Sequence, residues 1–241
     1  MTGGSGAGGE PPIDYRRLYR EGAAAYDRLV SAEDADGSLL PALAAVAELA
    51  GARVLEVGAG TGRLTRLLAP VAGRIVATER SWPMLDVARG RLPEAGGARF
   101  CCAEAGALPV RGDWADLALA GWVFGHFLEW MPDGWRGSVA AALAEMRRAL
   151  RPGGTLVVLE TLGTGAGAPA PPTPDLAEYY AWLEDEHGFA RREVRTDFEF
   201  RSHEEAVELV RFFFGAELGE AVRRGGGRRV PEYTGLWSLR T

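Results

Sequence analysis

The run Glu56-Val57-Gly58-Ala59-Gly60-Thr61-Gly62 sets a carboxylate just ahead of three alternating glycines. Glycines let the backbone turn sharply and let a ligand lie on the main chain with no Cβ in the way. A dinucleotide fingerprint needs G-x-G-x-x-G. Here the third glycine comes one residue early, and Arg63 takes the slot the fingerprint reserves for glycine. Glu56 opposes a pyrophosphate, whereas a ligand carrying ammonium and sulfonium charge suits it. His126, in Gly121-Trp122-Val123-Phe124-Gly125-His126-Phe127, is the candidate catalytic base. An imidazole exchanges its proton near neutral pH; a structural histidine competes with that role. His187 falls at a helix C-cap and His203 within a capping box. The residue types also exclude chemistry. The chain has no Lys, so all 27 basic residues are Arg. A Schiff base and a phosphate-binding lysine of the GxxxxGK[ST] kind are both ruled out.

The elements that position these groups follow from periodicity. Residues 14–30 place Tyr15, Leu18, Tyr19, Ala23, Tyr26 and Val30 at helical spacing, and Ser38 is expected to cap a second helix reaching Leu49. Strands are expected at 53–57, 74–78, 98–103, 115–120 and 155–160, with helices at 63–68, 82–92 and 138–150 between them. Such alternation implies an α/β fold, doubly wound, with a parallel sheet covered on both faces. Ligands then bind beyond the carboxyl ends of the strands, where strand order reverses. Residues 163–174 form a Gly/Pro-rich excursion. Beyond it lie a helix at 175–187, an alternating strand at 192–200, a helix opened by Ser202-His203-Glu204-Glu205 and a last strand at 230–239. Residues 1–12 are expected to be a disordered tail. Residues 13–241 are expected to form one domain: N-terminal helices at 13–50, a cofactor-binding core at 51–160, and an insertion with the rest of the sheet at 161–241.

The run VLEVGAGTGRL at 54–64 resembles motif I of class I S-adenosylmethionine-dependent methyltransferases, of the small-molecule, methyltransferase type 11-like kind. The resemblance spans about Tyr26 to Leu159 and implies a Rossmann-like, seven-stranded sheet of order 3-2-1-4-5-7-6 with the last strand antiparallel. It implies S-adenosyl-L-methionine as cofactor, contacted by Glu56 and by the loop residues Gly58, Ala59, Gly60 and Gly62. It places Glu79 on the ribose hydroxyls, where two carboxylate oxygens can accept from two donors, and Met84 on the adenine face. Glu104, standing where the family has Asp, is implied to accept from the adenine amino group, with the N–H of Ala105 toward the ring. Trp122 is implied to neighbour the methionine moiety, whose carboxylate would find Arg28 or Arg63. No metal is implied.

A net charge of -6 opposes nucleic acid and anionic membrane as partners. The basic cluster Arg223, Arg224, Arg228 and Arg229 is expected to be a solvated loop. No run approaches about 18 apolar residues, so no membrane span is expected. Adjacent Cys101 and Cys102 point to opposite faces of a strand and suit free thiols in a reducing cytoplasm. The expected function is methyl transfer to a small-molecule acceptor. The alternative is a non-catalytic module that binds the same cofactor. A nucleic-acid methyltransferase and a nicotinamide oxidoreductase fit less well. The acceptor site is expected among the N-terminal helices, Trp130, Met131, Trp135, and the stretch around Tyr179, Tyr180 and Trp182. Phe212, Phe213 and Phe214 are expected in the core.

Overall fold

A computed structural model describes residues 14–92 and 97–241; the expected tail at 1–12 lies outside the described residues. The first helical stretch is two helices, α1 (Tyr15–Glu21) and α2 (Ala23–Ser31). Gly22, at φ -113 and ψ 18, separates them, and a side chain there would lie 2.8 Å from the ring of Phe212. α3 (Leu39–Ala44) is shorter than expected, and Ser38 does not cap it with its side chain. Asp34 does, accepting from the N–H groups of Ser38 (2.7 Å) and Leu39 (3.1 Å). Asp34 itself has φ 62, a left-handed backbone that Asp tolerates better than most residues.

β1 (Arg53–Val57), α4 (Arg63–Leu68), β2 (Arg74–Glu79), α5 (Trp82–Arg91), β3 (Ala98–Cys102) and β4 (Ala115–Gly121) follow the expected pattern. A short helix, α6 (Gly125–Trp130), then precedes α7 (Trp135–Ala149). β5 runs from Leu150 to Thr164, well beyond both expected ends. Arg151-Pro152-Gly153-Gly154 does end the helix, but Leu150 already pairs with Ala115, and Thr164 still pairs with Glu232. α8 (Pro174–Asp185) leads to β6 (Ala190–Arg195) and a separate β7 (Phe198–Glu199). α9 (His203–Phe214), α10 (Ala216–Gly225), β8 (Arg229–Val230) and β9 (Glu232–Arg240) complete the chain. The Ser202 hydroxyl accepts from Glu205 N–H, but the Glu205 carboxylate returns to Arg201 N–H instead of to the cap residue.

The sheet order is β3-β2-β1-β4-β5-β9-β6. The first five strands are parallel and β9 runs antiparallel to both β5 and β6. The expected topology therefore holds once the small β7–β8 ladder is set aside. The period-2 alternation of strands divides the core. Leu55, Val57, Ala118, Ala120, Leu156 and Val158 join α7 and α8 on one face, while Val54, Leu117, Leu119, Val157 and Leu159 join α3 and α4 on the other. By the same alternation Glu56 faces α4 and Glu160 faces α8. α2 is tied down by buried Asp27, which receives Arg91 Nε at 2.9 Å and Arg66 at 3.4 Å.

Candidate functional site

Strand order reverses between β1 and β4, and two adjoining cavities open beyond their carboxyl ends. The first holds about 370 Å³. Its lining includes Gly58, Gly60, Glu79, Met84, Glu104, Ala105, Trp122 and His126. Gly58 has φ +71, and a Cβ there would sit 2.3 Å from Val123. Gly60 has φ +55, and its missing Cβ would project toward Met84 and Tyr26, both lining residues. Glu79 closes the loop: one oxygen accepts from Gly60 N–H (3.1 Å) and the other from Ser81 N–H (2.8 Å). Each oxygen keeps acceptor capacity toward the cavity. Burial raises its pKa.

Three of the expected contact residues do not reach this cavity wall. Glu56 lies beneath the loop, buried, with Thr65 Oγ1 donating to it at 2.5 Å. Burial raises its pKa to about 7. This bond ties β1 to α4, on the face that the strand's alternation gives Glu56. Ala59 is buried and its N–H bonds Thr78 O, while Gly62, at φ +81, supplies the left-handed turn into α4. Glu104 does line the cavity, but it is exposed and paired with Arg80 at 3.7 Å. Trp122 takes an unusual φ of 55, and its ring lies under the Arg63 guanidinium at 4.1 Å.

His126 lies on α6 and lines both cavities. Its Nε2 is 2.6 Å from Tyr19 Oη, and its ring stacks on Trp130 with centroids 5.1 Å apart. Burial lowers its pKa to about 4. The ring is thus neutral at neutral pH, with one nitrogen already engaged, which makes it a weak base and a firm wall.

The second cavity, of about 610 Å³, is bounded by α1, α2, α6, α8, α9 and the end of β5. Tyr15, Leu128, Leu176, Phe213 and Phe214 make it largely apolar. Phe213 and Phe214 pack against the core cluster of Phe198, Phe200 and Leu209, as expected, and line this cavity as well. Trp135, Tyr179 and Trp182 are core instead, and of that aromatic group only Tyr180 reaches this cavity. Met131 lines neither cavity, and Trp130 lines the first. Polar groups are few. Arg63 donates to Glu33 at 2.5 Å, while its Nη2 is buried with no partner among the described residues. Glu160, 4% exposed, accepts through one oxygen from Phe124 N–H (3.1 Å) and Gly125 N–H (3.0 Å). Burial raises its pKa to about 8.

Several lining residues escape the sequence. Glu160 lies within the apolar β5 and carries no motif; its lone charge in TLVVLE is the sole hint. Tyr19 and Tyr26 look like helix core. Of the two arginines considered for a carboxylate, Arg28 pairs with Glu205 and Glu208, and Arg63 belongs to the second cavity. Arg16 and Arg20 line the first. In the basic cluster, Arg228 pairs with Glu199 and Arg229 with Asp36 and Asp197, so it is less free than a solvated loop. Both cysteines are free. Among the described residues no helix is long and apolar enough to cross a membrane, and no cluster of metal-ligating side chains is found.

Residues 55–158 match the family model described as a methyltransferase domain. The biotin biosynthesis bifunctional protein BioHC of Cellvibrio japonicus is 31% identical over 157 residues, 64% of this chain and 28% of that protein. The demethylmenaquinone methyltransferase of Clavibacter sepedonicus is 32% identical over 152 residues, 62% of this chain and 58% of that one. The chain therefore spans well under two thirds of either relative. A solved SAM-dependent methyltransferase from Aquifex aeolicus shares the fold at TM-score 0.54 and 15% identity, covering 94% of this chain and 96% of that one.

Proposed function

With a methyltransferase domain at residues 55–158 as the premise, we propose that the chain transfers a methyl group from S-adenosylmethionine to an apolar, planar small molecule. The observation that carries this is the pair of adjoining cavities at the sheet's reversal point. One has a carboxylate-closed glycine loop; the other has aromatic walls. Both share Tyr19, Tyr26, Trp122 and His126.

The first cavity fits the cofactor. Its loop leaves space where side chains would stand, and the free acceptor capacity of Glu79 suits a ribose diol. Met84 and Ala105 offer an apolar slot for adenine, with Glu104 at its rim. Gly58, Gly60 and Trp122 flank the amino-acid end, and Arg16 and Arg20 add positive charge to the lining. When bound, the cofactor supplies an activated methyl on a sulfonium. The chain's own part is to align the acceptor and keep water out. Tyr19, His126 and Trp130 form an aromatic wall there, and aromatic faces attract a cation.

The similarity to the demethylmenaquinone methyltransferase of Clavibacter sepedonicus supports a quinone-related acceptor, as do the tyrosines and phenylalanines of the second cavity. The net charge of -6 supports a small molecule over nucleic acid. Incubating the protein with isotopically labelled cofactor and a panel of quinols and phenols, followed by mass spectrometry, tests the proposal. A labelled product is expected. Tight cofactor binding with no transfer to any acceptor supports the alternative, a binding module without turnover. Absence of cofactor binding in calorimetry overturns both.

A further inference from the structure

The second cavity contains one carboxylate whose surroundings suit proton transfer. Glu160 directs Oε1 to the N–H groups of Phe124 and Gly125, with the Tyr179 hydroxyl at 3.5 Å. These three fix the carboxyl group in place. Oε2 takes no hydrogen bond among the described residues, although Glu160 lines the cavity and Oε2 would lie 3.1 Å from a Cβ built on Gly125. Glu160 follows Leu159, whose carbonyl receives Trp122 N–H at 2.7 Å. Its carboxylate thus stands in the second cavity, bonded to the N–H of Gly125, the residue before His126, which lines both cavities.

Resting on the methyltransferase assignment above, we propose that Glu160 Oε2 receives a hydroxyl proton from the acceptor, which is a planar apolar molecule bearing a phenol or quinol O–H. The acceptor's O–H bond breaks, the proton passes to Oε2, and the electron pair stays on the acceptor as a phenolate, the nucleophilic form. Glu160 takes the role that the sequence suggests for His126. The imidazole is a poorer candidate because Tyr19 occupies its Nε2 and burial keeps it weakly basic. Glu160, by contrast, has a free oxygen and titrates at about 8, close to the working pH that general-base catalysis favours. Tyr179 bonds it, and the titratable groups that share its cavity are Tyr15, Tyr19, Tyr26, His126, Glu129, Asp175 and Tyr180, together with Glu33 and Arg63. Arg63 is the one cation among these, and it is paired with Glu33.

Binding of 5,6,7,8-tetrahydro-1-naphthol and of its methyl ether, measured by calorimetry in the presence of S-adenosylhomocysteine, tests this. The wild type is expected to prefer the phenol by about tenfold or more, the usual scale of one charge-assisted hydrogen bond. That preference is expected to grow between about pH 6.5 and about pH 8.5 as the carboxylate forms. In Glu160→Gln the amide oxygen still accepts from Phe124 and Gly125, so S-adenosylhomocysteine affinity should hold. The phenol preference should fall to about threefold or less and lose its pH dependence. An equal preference in variant and wild type, a wild-type preference that does not change with pH, or no binding of the phenol overturns the proposal. Failure to bind S-adenosylhomocysteine overturns the methyltransferase assignment instead. If the variant fails to fold, the wild-type pH series alone decides.

Discussion

Glu79 shows how one side chain can serve both fold and ligand. Its oxygens pin Gly60 and Ser81 through backbone N–H groups, and the capacity left over faces the first cavity. Glu79→Ala is expected to weaken S-adenosylmethionine binding by roughly 1–3 kcal/mol, and calorimetric titration checks it. Unchanged affinity would remove Glu79 from the cofactor site. The Tyr19–His126 pair has a different energetic character. Both groups are half-buried and neutral, with His126 Nε2 2.6 Å from the Tyr19 hydroxyl. Removing one takes away the other's partner at the cavity wall, so Tyr19→Phe and His126→Phe should each destabilise the fold by about 1 kcal/mol. A double-mutant cycle by urea denaturation should show a coupling of about 1 kcal/mol, and additive losses would mean the contact carries no net energy. At this scale the sequence is uneven. Gly58, Glu79 and Met84 are legible because their neighbours in the chain form a motif. Glu160 is not, because its burial comes from α8, which crosses it some twenty residues later.

Among the elements, β1, α4, β2 and α5 fall where periodicity puts them, since short connections and local turn signals fix their ends. The expected single helix at 14–30 is interrupted at Gly22, whose backbone leaves the helical region. Phe212, far along the chain, packs where a side chain at Gly22 would stand. α3 begins after Ser38 as expected but under a different cap. Ser38 is already helical in backbone, and Asp34 reaches the first N–H groups from four residues upstream. Asp34→Ala is therefore expected to cost about 1 kcal/mol of stability, plus strain from a left-handed alanine. Asp34→Asn should keep most of it. Denaturant midpoints of the two variants provide the check, and a neutral alanine variant would contradict the capping role.

The whole molecule buries several carboxylates and one imidazole, which makes its stability pH-dependent in a defined direction. Glu56 and Glu160 titrate at about 7 and about 8, above the ordinary carboxylate range, because of burial. The folded chain then holds protons that the unfolded chain releases, so their contribution is fully present below the unfolded pKa and fades as pH rises through those values. His126 acts oppositely. Its lowered pKa of about 4 means the folded chain binds fewer protons, and stability rises with pH from about 4 to the ordinary imidazole value. The sum predicts a maximum near pH 4.5, a decline that steepens once the imidazole no longer offsets the carboxyls, and a plateau above about pH 8, a loss on the order of a few kcal/mol. Melting curves across that range check it. Glu160→Gln should flatten the decline, and a slope identical to wild type would show that Glu160 does not titrate there.

Tyr15, Tyr19 and Tyr26 stand on two short helices held to the sheet's periphery, with Asp27 as the charged anchor beneath them. Neither chamber has a complete boundary without this N-terminal hairpin. A single protease cut at the α1–α2 junction would unseal both at once, so occupancy of either one should shield the peptide bonds around Gly22 from cleavage.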